Sequence, residues 1–352
     1  MPGTALGAPR VGMLPSAALD AITDVPGLAV GHCTLDDGAT QTGATVLLPQ
    51  PGNLFLHKLP AGLAVINGFG KSAGLMQLQE LGTLESPIAL VSTLAVGAAA
   101  SALVRDAMAQ NAELARGLPT LNPLVFECND GWLNDARAMV LQESHVAQAL
   151  AAARAAPHGR FAQGSVGAGR GMSCHGLKGG IGSASRRVGP HVLGALVLAN
   201  QGRPEALTIA GRRIGVQLQA RLAAETGPER GSIIVLLATD APLDARQLAR
   251  VARRAAAGLA RTGSDYGHGS GDIALAFSTA YRVPQGADEP MPAVALLHES
   301  ALDGLFQAAA EATEQAILHA LFAATSVSGR DGRRRLALTE LAPDWPTLLD
   351  IS

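Results

Sequence analysis

The run Ile233–Ala238 carries no charge and no turn residue. Its apolar side chains, three of them β-branched, do not alternate with polar ones, so it reads as a strand buried on both faces. Such a strand requires packed layers on either side of its sheet. "PHVLGALVLAN", ending at Asn200, and "GDIALAFSTA", after Ser270, read as further strands. "ITDVPGLAVGHCTLDDGATQTGATVLLP" reads as short strands separated by turns. Helical stretches lie between them. "KSAGLMQLQELG" is short, "SPIALVSTLAVGAAASALVRDAMAQNAEL" is a strand followed by a helix, and residues 135–156 contain "HVAQALAAARAA". "LDARQLARVARRAAAGLARTG" reads as one strong helix, capped by Asp244 and ended by Gly263, with Leu248, Val251, Ala255 and Leu259 on one face. "LDGLFQAAAEATEQAILHALFAA" is the last long helix. Strands and helices alternate throughout without an internal repeat, which predicts a single α/β or α+β sandwich domain. Glycine at 41 of 352 residues, with aromatics at 3%, suits closely packed helix–sheet layers.

The net charge of −2 predicts no attraction to nucleic acid or to an anionic membrane. The Arg-rich pieces "RQLARVARR" and "GRDGRRR" read as a solvated helix face and a tail loop. Cys33, Cys128 and Cys174 have neither disulfide-framework nor C-x-x-C spacing, so they read as small buried apolar residues and not as a zinc site. There is no secretory signal pattern and no apolar run of membrane-spanning length, so the expectation is a cytoplasmic protein.

The chemistry centres on the junction of Gly231 and Ser232. A polar stretch from Gly202 to Gly231, ending in the turn-rich "ETGPERG", leads into it and reads as an exposed loop. A hydroxyl at the start of a buried strand is rigidly held, and a preceding glycine leaves its carbonyl open to attack. If Ser232 Oγ attacked that carbonyl, an ester would form and water would cut the chain. Ser232 would then carry an α-amine, with an ordinary pKa of about 7.7–8.0, within reach of its own hydroxyl. The residues alone leave this reading beside that of an ordinary strand-start serine. "GSVGAGRGMSCHGLKGGIGSASR" is neither a P-loop nor a dinucleotide fingerprint, and reads equally as a tight structural loop or as a cleft lining. His175 and His268, beside glycine-rich loops, are candidate bases or ordinary loop histidines.

Read together, "RGSIIVLLATDAPL", "QLARVARRAAAGLARTGS", "HGSGDIALAFSTA", "GLKGGIGSASR" and "ITDVPGLAVGH" resemble the L-aminopeptidase/D-esterase family, the DmpA-like aminopeptidases that include β-peptidyl aminopeptidases. The resemblance runs from about Ile22 to about Leu336. It implies a four-layer αββα sandwich and a precursor that cuts itself between Gly231 and Ser232. The products would be an α chain, 1–231, and a β chain, 232–352. It further implies a tetramer of αβ units, a small peptide or amide substrate, and neither metal nor organic cofactor. By the same resemblance Ser232 is the nucleophile and Asn200 helps hold the oxyanion. Ser270 and Asp272 are the second serine and the acid near the nucleophile.

Two departures stand out. Trp132 in "NDGWLND" replaces a tyrosine that lines the site in some relatives, and an indole cannot shuttle a proton. Tyr266 is a candidate to supply that hydroxyl. Val91–Ser92 in "PIALVST" stands where the family often has Thr-Asn, which bears on substrate contacts. The expected activity is a self-processing serine aminopeptidase or amidase. The alternatives are a linear-amide hydrolase, an acyltransferase like the threonine-dependent ornithine acetyltransferases, and an uncut, non-catalytic binding relative.

Overall fold

The computed structural model describes residue 4 and residues 6–222 and 231–349. Of the expected exposed loop Gly202–Gly231, residues 223–230 lie outside the described residues. Nine strands of five residues or more are described: β1 Ala29–Asp37, β2 Thr40–Leu48, β3 His57–Gly68, β4 Ile88–Ser92, β5 Leu124–Cys128, β6 Gly180–Val188, β7 His191–Asn200, β8 Ser232–Thr239 and β9 Gly271–Ser278. The longer helices are α1 Leu75–Leu81, α2 Val96–Gln110, α3 Glu143–Ala155, α4 Ala245–Arg253, α5 Ala255–Arg261 and α6 Asp303–Phe322.

Two sheets stack face to face. The smaller has the order β1-β2-β4-β5. The larger runs from an edge pair, Val283–Pro284, through β3, β9, β8 and β7 to β6. Within it β8 and β9 are parallel, while β7 and β3 flank them antiparallel. Side-chain alternation builds three cores from these sheets. Along β8, Ile233, Val235 and Leu237 join the core under α4, α5 and α6, whereas Ile234, Leu236 and Ala238 join the core between the sheets. Val46, Val91 and Val125 of the smaller sheet pack outward against Leu103 of α2 and Leu150 of α3. The order is therefore helix, sheet, sheet, helix, the expected αββα sandwich.

The glycine-rich, ring-poor composition has a local cause. Gly62 of β3 faces α4 so closely that a Cβ there would lie 2.8 Å from Ala249 Cα. At Gly182 of β6 a Cβ would overlap Ala316 O and stand 2.7 Å from Ala320 N, both on α6. The helices can sit this low only where the sheet lacks side chains. Gly182→Val is expected to cost at least about 1–3 kcal/mol, because the obstructing atoms are helix backbone. The shift of the urea midpoint measures it.

Two expectations are refined. The single helix after β8 is two, α4 and α5, with the Arg254 N–H bonded to Val251 O three residues back. Asp244 does cap its start, accepting from Gln247 N, and Gly263 follows its end in the left-handed region. The polar stretch after β7 is not all loop: it contains a two-residue hairpin, Thr208–Ile209 with Arg212–Arg213, and a short helix, Gly215–Gln219. No helix among the described residues is long and apolar enough to cross a membrane.

Candidate active site

The topology brings the C-terminus of β7 to the N-termini of β8 and β9. Asn200 stands opposite Ser232 in the β7–β8 register, and Ile233 pairs with Asp272 across β8–β9. Ser232 and Asn200 continue the parity of Ile234 and Leu198, so both point between the two sheets. The backbone N–H of Gly271 donates to Ser232 Oγ at 3.0 Å. Ser270 Oγ donates to Asp272 Oδ1 at 2.6 Å, with both residues buried. Four residues singled out in the sequence thus meet at one end of the larger sheet.

Gly231 is explained here by space. A Cβ on it would overlap the carbonyl oxygen of Asn200 and lie 2.7 Å from Gln201 Cα. The strand entering the nucleophile position therefore passes the end of β7 only without a side chain.

The Asn200 amide is fixed on both sides. Its Oδ1 accepts from Ser173 N at 2.8 Å, and its Nδ2 donates to Asn129 O at 3.1 Å. These bonds set the orientation of an amide whose residue stands opposite Ser232. Ser173 belongs to the glycine-rich segment, so that segment is a cleft lining. It is held from within by Lys178, fully buried, whose Nζ donates to Gly169 O, Met172 O and Gly179 O at 2.8–2.9 Å. Burial pushes the Lys178 pKa well below the usual lysine range, and Arg170 and Arg335 add to the effect.

The end of β5 supplies two carboxylates that the sequence reading missed. Glu127 accepts from Lys71 N at 2.8 Å and from Thr93 Oγ1. A Cβ on Gly70 would lie 3.7 Å from Glu127 Oε1 and 3.9 Å from Gly271 Cα, so Gly70 separates Glu127 from the residue whose N–H meets Ser232 Oγ. Asp130 accepts from Thr42 Oγ1 at 2.6 Å, Ser92 Oγ at 2.7 Å and Asn134 Nδ2 at 3.2 Å. Its burial raises its pKa against those three bonds. Between the acids sits Cys128. Burial drives its thiol pKa well up, and Glu127, Asp272 and Asp130 push it further. Asn67, also missed, opposes Asp272 on β3 and donates from Nδ2 to Gly267 O at 3.0 Å and to Ser270 O, holding the turn into β9. The acid density of "ECNDGWLND" was the available signal for Glu127 and Asp130; nothing local marked Asn67.

Other expected residues lie elsewhere. Val91 is fully buried in the core under the outer helices, because alternation along β4 turns it away from the cleft. Its neighbours Ser92 and Thr93 reach Asp130 and Glu127 instead. The Tyr266 hydroxyl donates to Ala256 O and so is engaged away from Ser232. His268 lies against Phe69, with ring centroids 5.8 Å apart. His175 is buried, with Nδ1 against Arg203 O at 3.0 Å. Neither histidine bonds to Ser232, whose hydroxyl partner is Gly271 N. Trp132 is 37% exposed at the rim. The three cysteines are buried. Among the described residues no group of three or more His, Cys, Asp or Glu could hold a metal ion. A cavity lined by Asp20, Phe161 and His319 lies apart from this cluster, which is marked by its polar convergence.

Burial lowers both His175 and His32 to about 4. The ordinary value of about 6.5 applies when the chain is unfolded, so protonation favours unfolding. The stability each contributes is complete above pH 6.5 and is lost as the pH falls to 4, at most about 3 kcal/mol apiece. Urea midpoints measured between pH 7 and 4 should fall. His175→Asn, which tolerates the positive φ at this position, should flatten the slope.

The sequence profile of peptidase family S58 matches residues 20–335. The β-peptidyl aminopeptidase BapA of Sphingosinicella xenopeptidilytica is 37% identical over 342 residues, covering 90% of this chain and 84% of that protein. The Burkholderia sp. β-aminopeptidase structure superposes with a TM-score of 0.89 at 39% identity, covering 99% of this chain and 98% of that one. The L-aminopeptidase D-Ala-esterase/amidase of Ochrobactrum anthropi, a prototype serine aminopeptidase with a variant Ntn hydrolase fold, superposes with a TM-score of 0.85 at 33% identity, covering 97% and 98%.

Proposed function

The chain belongs to peptidase family S58, and from that premise we propose that it is a serine aminopeptidase that generates its own nucleophile by cutting between Gly231 and Ser232. The observation that carries the proposal is the convergence of Ser232, Asn200, Ser270 and Asp272 at the meeting ends of three adjacent strands.

In the self-cutting step Ser232 Oγ attacks the Gly231 carbonyl, the amide becomes an ester, and water hydrolyses it. The products are residues 1–231 and residues 232–352, with the Ser232 amine now free. In the catalytic cycle that amine takes the hydroxyl proton as Oγ attacks the substrate carbonyl. The second N–H of Asn200 meets the developing oxyanion. The protonated amine then protonates the leaving amine, and the acyl-enzyme is cleared by water. Ser270, bonded to Asp272, positions the acid beside the new N-terminus.

Asp272 and Glu127 give this end of the cleft a negative potential that suits a substrate ammonium. The substrate is a short peptide or amide with a free N-terminal amine, β-amino ends included, as the names of the relatives suggest. The proposal also includes a tetramer of αβ units and a cytoplasmic location.

The test compares an amine-free peptide amide with its N-acetyl counterpart. A fall of about 100-fold or more in kcat/KM on acetylation is expected, since one fully used charge-assisted bond and the desolvated carboxylates are at stake. Asp272→Asn and Glu127→Gln then show which acid holds the ammonium. Equal cleavage of both substrates would sink the aminopeptidase reading.

A further inference from the structure

The chain's lysines are Lys58, Lys71 and Lys178. Lys58 pairs with Glu85 at 2.7 Å, and Lys71 lies over the Phe69 ring, its Nζ 4.4 Å from the centroid. Lys178, in the glycine-rich segment, is fully buried. Lysines are almost never fully buried unless paired. The partners of Lys178 Nζ are backbone carbonyls: Gly169 O at 2.8 Å, Met172 O at 2.9 Å and Gly179 O at 2.9 Å. A neutral amine has only two N–H bonds to give, so three acceptors at these distances call for the ammonium. Burial works against that form, and the carbonyls work for it.

Met172 O is the carbonyl that leads to the site. It belongs to the same planar peptide group as Ser173 N. The oxygen of this group accepts from Lys178 Nζ and from Gly179 N at 3.0 Å. Its N–H donates to Asn200 Oδ1 at 2.8 Å. The strand pairing explains how a lysine comes to serve this peptide. Ser173 and Lys178 are partners in the short ladder of Ser173–Cys174 with Leu177–Lys178. A Cβ on Gly179 would overlap Ala199 O, so the ladder lies against β7 just before Asn200.

The groups therefore line up in one sense: ammonium, peptide carbonyl, peptide N–H, side-chain carbonyl and side-chain N–H. Each dipole has its positive end on the Asn200 side, and Asn200 stands opposite Ser232. Carbonyl partners solvate an ammonium without cancelling its charge, so its field still acts on the peptide. We propose that Lys178 is a positioning residue for the oxyanion donor, its ammonium fixing and polarising the Met172–Ser173 peptide, which does the same to the Asn200 amide. This inference rests on the aminopeptidase reading, in which the remaining Asn200 N–H meets the developing oxyanion. In a buried chain of hydrogen bonds each bond strengthens the next by about 10–30%. The benefit grows as charge develops on the substrate oxygen, so it belongs to kcat more than to KM.

The experiment compares the wild-type protein, Lys178→Met, Asn200→Ala and the double variant on one peptide amide with a free N-terminal amine. Methionine keeps an unbranched, flexible stem and removes the charge. Lys178→Met should lower kcat about tenfold with KM little changed, because removing an oxyanion donor outright costs about 10²–10³ and here the donor is weakened, not removed. In the Asn200→Ala background the same substitution should cost less than about twofold, because the lysine acts through that amide. A merely structural lysine would cost the same factor in both backgrounds.

Wild-type kcat in Lys178→Met, or an equal loss in both backgrounds, overturns this inference and leaves the aminopeptidase reading in place. Wild-type kcat in Asn200→Ala removes the oxyanion assignment and this inference with it. A wild-type protein that cleaves no such amide removes the aminopeptidase reading as well. Where Lys178→Met does not fold or is not cut, neutron diffraction on the wild-type protein decides: three deuterons on Lys178 Nζ are expected, and two overturn the inference.

Discussion

Ser232→Ala is expected to yield one uncut chain, while the wild-type protein resolves under denaturing conditions into residues 1–231 and residues 232–352. The measurement is intact mass. Activity against peptide amides should fall at least about 10⁴-fold, because nucleophile and N-terminal base are lost together. The fold should persist. The hydroxyl's partner is Gly271 N, and leaving one buried N–H unmatched costs about 1–3 kcal/mol. Circular dichroism on the variant checks this. A wild-type protein that stays whole would end the self-processing proposal, and a cut Ser232→Ala chain would move the attacking group elsewhere. Gly231 is a second handle on the same step. Its missing Cβ is what lets the strand pass the end of β7, so Gly231→Ala should slow cutting even with the nucleophile present.

Much of this was legible in the sequence because the physics was local. β8 declared itself through an unbroken apolar run, and the structure buries it on both faces as Ser232–Thr239. Periodicity predicted only an α/β or α+β sandwich, and the αββα order came from the family resemblance. The resemblance also supplied Asn200, Ser270 and Asp272, whereas Ser232 stood out by itself as a hydroxyl opening a buried strand; the structure brings the strand ends that carry them together. What escaped the sequence reading was set by contacts distant in sequence. Asn67 earns its place only by facing Asp272 across the β3–β9 register. Glu127 gains significance only because the smaller sheet stacks its β5 end beside Gly271. "GRDGRRR" read as a tail loop because nothing local says that Arg330 bonds to the Trp132 turn and that Arg333 lies over the Trp132 ring. Val91 drew notice because the family often has Thr-Asn at Val91–Ser92; a resemblance gives positions and not facings, and alternation sends Val91 into the outer core.

The second large effect belongs to Asn200. Asn200→Asp keeps an oxygen for the Ser173 N–H but replaces the Nδ2 donor, which also serves Asn129 O, with a buried carboxylate oxygen, so it costs stability as well. That group cannot donate when ionised, and it repels an oxyanion. Removing one oxyanion donor costs about 10²–10³ in kcat in other hydrolases. Here a loss of about 10³-fold is expected, with KM little changed, because the interaction forms only as charge develops on the substrate oxygen. Asn200→Ala serves as the companion variant. It also strips Ser173 N of its acceptor, so its kcat loss should come with about 1–3 kcal/mol of lost stability. Both variants lose the Nδ2 donor, and they differ in whether Ser173 N keeps its acceptor. Steady-state kinetics and urea midpoints on both proteins read the difference. If both keep wild-type kcat, the oxyanion is held by another donor, and the fixed orientation of the Asn200 amide between Ser173 and Asn129 is structural alone. If both stay folded at the assay temperature and both lose kcat with KM little changed, the amide acts at the reacting carbonyl, and the glycine-rich segment exists in large part to aim it.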